Sequence, residues 1–236
     1  MEIRAIDISK QYGKKLALDK FSYTFTPGVY ALIGPNGAGK TTLMNILTQN
    51  LSCDSGVLLF DEKEVKNNRT EYLAKLGYMP QQQAVFPTLS LHRFMFYMAA
   101  LKGIQHGDGQ IEALLKQVDL WDVRNKKLGS FSGGMKQRAL LAQAFLGEPS
   151  FIILDEPTEG LDPLQRITVR KMIKDASKNA IVLVSSHVLA DLEQIADKVI
   201  LLKKGHRVES ETEINSKSLE EMYVNVFGDK DAGNGA

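Results

Sequence analysis

The chain has 236 residues, 44% of them hydrophobic and 24% charged, which excludes extended disorder and fibrous repeats and is enough for a substantial core. Its 29 Lys and Arg nearly cancel 28 Asp and Glu, and the formal net charge of +1 leaves no global field to draw in nucleic acid or anionic lipid. A single cysteine, Cys53, excludes an intrachain disulfide and points to a reducing compartment.

At the N-terminus, Glu2, Arg4 and Asp7 stand where a signal peptide needs an apolar run. The first stretch alternates as strands do, with Phe21, Tyr23 and Phe25 on one side and Ser22 and Thr24 on the other. Pro27-Gly28 marks a turn. Val29 to Ile33 is short and apolar throughout, a strand buried on both faces. A glycine-rich loop follows, then a helix from about Lys40 to Gln49, and a strand from Val57 to Phe60. From about Thr88 to Leu146 the apolar spacing is helical, as in Ile111, Leu114, Leu115 and Val118, with Gly103 to Gly109 read as a loop. The apolar run Phe94 to Leu101 falls far short of the ~20 residues that span a bilayer. Phe151–Leu154 and Ala180–Val184 are buried strands separated by a helix from about Leu164 to Ser177. A further helix, with Val188, Leu192, Ile195 and Ala196 on one face, leads into the strand Lys198–Lys203. Strands alternating with helices predict a parallel α/β sheet. The Gly/Asp-rich tail from Gly228 is expected to be mobile.

Gly34 to Thr41 fits G-x-x-x-x-G-K-[ST] in full, after a predicted strand and opening a predicted helix. Gly34, Gly37 and Gly39 let the backbone take left-handed angles and wrap a phosphate closely. Successive N–H groups across Asn36, Gly37, Ala38 and Gly39, with the helix N-terminus, make an anion nest. Lys40 reaches the β- and γ-phosphates, the Thr41 hydroxyl can ligate Mg²⁺, and Thr42 can reach the α-phosphate. Phe151 to Leu154 ends in Asp155 and Glu156. This strand is expected beside the phosphate-loop strand, with Asp155 holding Mg²⁺ and Glu156 polarising the attacking water. The same pair also reads as two solvated acids at a strand end. His187 follows a strand and the polar pair Ser185-Ser186; it is either a hydrogen-bond donor to the γ-phosphate or a structural histidine. Ser132-Gly133-Gly134 opens another helix, which is a second anion-binding N-terminus or simply a serine cap after a turn.

Through Phe131-Ser132-Gly133-Gly134-Met135 the chain resembles the ATP-binding subunits of ATP-binding cassette transporters, whose signature reads Leu-Ser-Gly-Gly-Gln/Met. Phe131 departs at a position expected to pack. The resemblance runs from about residue 2 to 227 and its motifs occur in order. It implies that Tyr12 stacks on adenine, Gln81 is the glutamine that approaches Mg²⁺ (Gln82 and Gln83 make its register ambiguous), Asp162 belongs to the loop Gly160-Leu-Asp-Pro, and His187 is the switch histidine. Singly, Tyr12 reads as a packing aromatic, Gln81 as a loop amide and Asp162 as a helix cap. The implied fold is α/β: a P-loop NTPase core with a mixed sheet, an N-terminal antiparallel β-subdomain and an inserted α-helical subdomain over about 86–148. Together these form one nucleotide-binding domain over 1–228, with a flexible tail over 229–236.

The resemblance also implies a mechanism. Two domains pair head to tail around two ATP molecules, each lying between Lys40 with its loop in one copy and Ser132, Gly133 and Gly134 of the other. The implied catalytic residues are Glu156, His187 and Lys40, the implied metal ligands Thr41, Gln81 and Asp155, and the implied partner a separate transmembrane permease gripped near Pro87 to Leu101. The aromatic residues in that stretch also read as the helical arm's own core. The expected place is the cytoplasmic face of the cell membrane. Ser218 to Phe227 resembles the short C-terminal helix of simple bacterial exporter subunits, so export is the expected direction. A soluble ATPase of the same class acting on ribosomes or DNA is the alternative. A single cassette, no long heptad insertion and near-zero net charge argue against it, and no nucleic-acid partner is expected. A simple P-loop kinase leaves Ser132-Gly133-Gly134 and the Asp155–Glu156 pair unexplained.

Overall fold

The computed structural model describes residues 1–81, 86–208 and 218–228. Gln82, Gln83 and the expected flexible tail lie outside the described residues. The N-terminal residues form β1 (Ile3–Tyr12), β2 (Lys15–Phe25) and β3 (Gly28–Ile33); the glycine-rich loop then leads to α1 (Lys40–Leu47). Next come β4 (Ser55–Phe60), β5 (Lys63–Glu64), α2 (Arg69–Ala74) and β6 (Leu76–Met79), then the helices α3 (Leu91–Leu101), α4 (Asp108–Gln117) and α5 (Gly133–Ala144). The last part runs β7 (Phe151–Asp155), α6 (Pro163–Ser177), β8 (Ile181–Ser185), α7 (Leu189–Glu193), β9 (Lys198–Lys203), β10 (His206–Val208) and α8 (Leu219–Phe227).

Two sheets result. An antiparallel sheet has the order β2-β1-β4-β5, and a six-stranded sheet has the order β10-β9-β3-β8-β7-β6. In the second, β9, β3, β8, β7 and β6 are parallel and β10 pairs antiparallel at the edge. Alternate residues of β3 therefore enter different cores. Tyr30 and Leu32 pack with Phe21, Phe25 and Met44 beneath the antiparallel sheet. Val29 and Ala31 pack on the opposite face with Ile152, Val182 and the residues of α3 to α6. Burial on both faces is why these strands read as unbroken apolar runs.

Four expectations are corrected. β7 does not lie beside β3: β8 lies between them, because the β7–α6–β8 crossover claims the place next to β7 and β8 offers its other edge to β3. Gly103–Gly109 is not wholly loop, since α4 begins at Asp108 and carries Gly109 in its first turn; a Cβ there would meet nothing within 4 Å, and burial of Ile111, Leu114 and Leu115 outweighs the glycine's helix cost of ~1 kcal/mol. The helix beginning at Lys40 ends at Leu47, with Gln49 already at φ 59. The helix expected around Val188 to Ala196 is the short α7, capped by Val188 and Gln194, so Ile195 and Ala196 lie beyond it.

The arm packs tightly against the sheet. A Cβ placed on Gly77 of β6 would lie 2.0 Å from the Ala144 carbonyl oxygen at the end of α5, so only glycine permits this approach. In the stretch expected to face a permease, Phe94 is buried while Phe86 and Tyr97 are exposed and meet edge to face at 5.7 Å.

Candidate nucleotide site

One edge of the parallel sheet collects most of the residues singled out above. β3 ends at Ile33 and delivers the glycine-rich loop; β7 ends at Asp155; β8 ends at Ser185, two residues before His187. Parallel strands put these ends on the same side, where a ligand crevice forms outside their carboxyl termini. The result is a pocket of about 230 Å³ lined by Tyr12, Asn36 to Thr42, Gln81, Asp155, Glu156 and His187, with Lys15 and Ala17 added.

The loop has the conformation an anion nest requires. Gly37 and Gly39 stand at φ 77 and φ 111, the latter directly before α1, whose N-terminus opens on the pocket. Gly34 has a different reason. Its φ is ordinary, and a Cβ there would meet the Leu202 carbonyl oxygen of β9 at 2.3 Å, so this glycine serves close approach and not a left-handed turn. The Lys40 ammonium donates to the Gly34 carbonyl at 2.5 Å and to the Pro35 carbonyl at 3.3 Å. Burial lowers its pKa, and the nearby Glu156 and Asp155 carboxylates oppose that shift. Among the described residues its hydrogen-bond acceptors are these two carbonyls, and a charge-assisted bond to an anionic oxygen is stronger than one to a neutral carbonyl.

Glu156 is held closely by its surroundings. The residue is 6% exposed and sits at φ 53, a left-handed backbone that costs a non-glycine residue about 1–2 kcal/mol. Three hydrogen bonds hold that backbone. Its N–H donates to the Ser185 carbonyl at 3.1 Å, and its carbonyl accepts from the Gln137 amide at 2.7 Å and from the Glu159 N–H at 3.2 Å. The side chain accepts from the His187 N–H at 3.1 Å, and the imidazole Nε2 lies 3.4 Å from its other oxygen. Asp155 points apart from Glu156 and accepts a hydrogen bond from the Ser185 hydroxyl. The two adjacent acids are thus separated into different surroundings, as a metal ligand and a water-orienting base would need. Tyr12 is 49% exposed at the mouth of the pocket, which leaves its ring open to a planar base.

The residues expected to meet the nucleotide of a partner copy lie apart from this pocket. Ser132 caps α5 by accepting from the Met135 N–H at 3.3 Å, and Ser132 and Gly133 are exposed, but neither they nor Gly134 line the pocket. Asp162 caps α6 in a capping box with Gln165 and also lies outside it. Sequence reasoning missed Lys15, Ala17, Ser185 and Gln137. For Lys15 a signal existed: a two-residue connection, Gly13-Lys14, pairs it directly with Tyr12 across the β1–β2 hairpin. Gln137 carried no local signal.

Comparison with known proteins places the same stretch. The family profile described as ABC transporter matches residues 18–159. The lantibiotic transport ATP-binding protein SrtF of Streptococcus pyogenes is 34% identical over 93% of this chain and 94% of that protein. The uncharacterized ABC transporter ATP-binding protein YxlF of Bacillus subtilis is 41% identical over 74% of this chain, a match spanning 58% of that relative's length. A solved structure of an ATP-binding subunit of an ABC transporter superposes with a TM-score of 0.88 at 26% identity, covering 96% of this chain and 99% of that one.

Proposed function

This chain belongs to the ABC transporter family, and we propose that it powers export through a separate membrane permease by pairing with a second cassette around two ATP molecules. It is an ATP-binding subunit and an ATPase, converting ATP and water to ADP and phosphate. The observation that carries the site assignment is the convergence of Lys40, Thr41, Gln81, Asp155, Glu156 and His187 on one pocket at the strand ends. Tyr12 stacks on the adenine. The N–H groups of Asn36 to Gly39 and the Lys40 ammonium bind the β- and γ-phosphates, and Thr42 the α-phosphate. The buried Glu156 carboxylate accepts a proton from the attacking water or orients it, and His187 holds the γ-phosphate from the β8 side.

Thr41, Gln81 and Asp155 are hard oxygen donors lining the same pocket, a set that would suit Mg²⁺. When bound there, the ion neutralises charge on the β- and γ-phosphates.

The start of α5, with Ser132 and Gly133 exposed and Gly134 partly buried, lies outside the pocket that would hold the nucleotide. A second cassette, identical or homologous, turned head to tail covers the γ-phosphate with that helix start, and hydrolysis then weakens the interface. Residues 86–148 act as the subdomain that carries this surface, within one cassette over 1–228. Among the described residues no helix is long and apolar enough to cross a membrane; the separate permease and the peripheral place on the cytoplasmic face are supported by the relatives, which are named as ATP-binding proteins of transporters. The short α8 supports an exporter, and SrtF is named for lantibiotic transport.

Light scattering on the Glu156→Gln variant tests this. A dimer that forms only with ATP is expected, and a monomer at saturating ATP overturns the head-to-tail arrangement. Lys40→Ala should abolish ATP binding by calorimetry. Affinity purification from detergent-solubilised native membranes should recover a polytopic membrane protein; ribosomes or DNA-repair proteins in its place overturn the transport reading.

A further inference from the structure

The start of α5 is not an isolated surface. A Cβ on Gly134 would lie 3.4 Å from the Gly160 carbonyl oxygen and 3.7 Å from the Leu161 side chain, so the helix start packs on the loop that follows Glu156. One turn further on, Gln137 is half-buried and its Nε2 donates to the Glu156 carbonyl at 2.7 Å. That carbonyl belongs to the one pocket carboxylate held on a left-handed backbone, at φ 53. The side chain that braces it stands on the helix opened by Ser132, not on the sheet that carries the rest of the pocket.

We infer that Gln137 is a positioning residue, whose hydrogen bond ties the aim of the Glu156 carboxylate to the position of the α5 N-terminus. A left-handed non-glycine backbone persists only when its surroundings hold it. Without the Gln137 donor the carbonyl keeps only the Glu159 N–H at 3.2 Å, and the peptide is free to rotate toward a commoner conformation. The carboxylate then leaves the His187 N–H that it accepts from at 3.1 Å. Resting on the head-to-tail reading above, the inference has a further consequence. The α5 start that touches the partner's nucleotide is the same element that aims this chain's own base, so each site reports its occupancy to the other through one amide.

The test uses the full chain and three variants. Gln137→Met keeps length and helix propensity but has no donor; Gln137→Lys restores a donor of similar reach. Expected for Gln137→Met is a kcat lowered roughly five- to twentyfold, an unchanged ATP affinity, a Hill coefficient for ATP falling toward one, and substantial recovery of kcat in Gln137→Lys. A Gln137→Met variant with wild-type kcat and Hill coefficient overturns the inference. Equal losses in both Gln137 variants together with a lowered Tm also overturn it, because they mark a purely structural role. Glu156→Gln alone is measured beside them for ATP-dependent dimerisation. If it stays monomeric the head-to-tail reading fails, while the comparison of kcat between Gln137→Met and Gln137→Lys still decides whether Gln137 aims Glu156.

Discussion

Asp191 offers a sharp test of how the pocket's outer elements are held. It lies on α7, four residues after His187, and its carboxylate is 7% exposed. Arg170 of α6 donates to Oδ1 at 2.9 Å, and the Arg166 guanidinium stands 3.6 Å from Oδ2 while its Nε donates to the Leu161 carbonyl at 3.2 Å. The acid therefore joins the segment carrying His187 to α6 and to the loop before it. Removing one partner of a fully buried ion pair costs about 3–5 kcal/mol. Here the side chains of Arg170 and Arg166 are 19% and 33% exposed, so water takes over part of their solvation and the Arg166 contact is loose. We expect about 2–3 kcal/mol for Asp191→Ala, and about 1 kcal/mol for Asp191→Asn, which keeps an acceptor for Arg170. For a chain of this length that is a Tm drop of roughly 5–10 °C for alanine and about 2–4 °C for asparagine. Differential scanning calorimetry reads it directly. Because the carboxylate is buried, the gap between wild type and Asp191→Ala should persist from about 0.1 to 1 M NaCl. An alanine variant within about 1 °C of wild type, or a gap that closes in high salt, would show that the trio is a solvated surface cluster.

Three other outcomes are expected. Lys15→Gln should raise the Kd for ATP about threefold to tenfold at low ionic strength and less at high salt, by calorimetry, because an ammonium at the pocket wall acts on phosphate through a screened charge; an unchanged Kd would remove Lys15 from the site. Gly77→Ala should lower unfolding stability in urea by about 2–3 kcal/mol, since its Cβ has no space against the Ala144 carbonyl. Lys102, which donates to the Leu146 carbonyl at 2.8 Å, is pushed by burial from its ordinary 10.5 down to about 8. Unfolding then takes up a proton between those values, so the native state is penalised below about pH 8 and gains stability as pH rises toward 10.5. Relative to Lys102→Met, wild type should gain up to about 3 kcal/mol across that window, and parallel curves would refute the burial argument.

Reading the residues alone carried the strand-to-loop-to-helix context of Lys40, the acids closing an apolar strand, and the alternation of strands and helices that makes a parallel sheet. These are local: a phosphate nest needs glycines at fixed offsets before a helix, and a strand buried on both faces needs an unbroken apolar run. Gly34 shows the limit of local reasoning, since its requirement comes from Leu202, distant in sequence. Ser185 likewise meets Asp155 only because β7 and β8 pair in a register that sets them side by side.

The amino-acid sequence by itself thus determined which residue types stand at the strand ends and the class of the fold, because both are written in short, contiguous patterns. The tertiary structure alone decided that β8 separates β7 from β3, that Lys15 joins the pocket wall, that Ser132 and Asp162 lie outside it, and that Gln137 donates to the Glu156 carbonyl. Each of these depends on which strand edges are left free after the crossovers close and on which helix face reaches which carbonyl. Those are long-range choices of packing, and no local spacing encodes them.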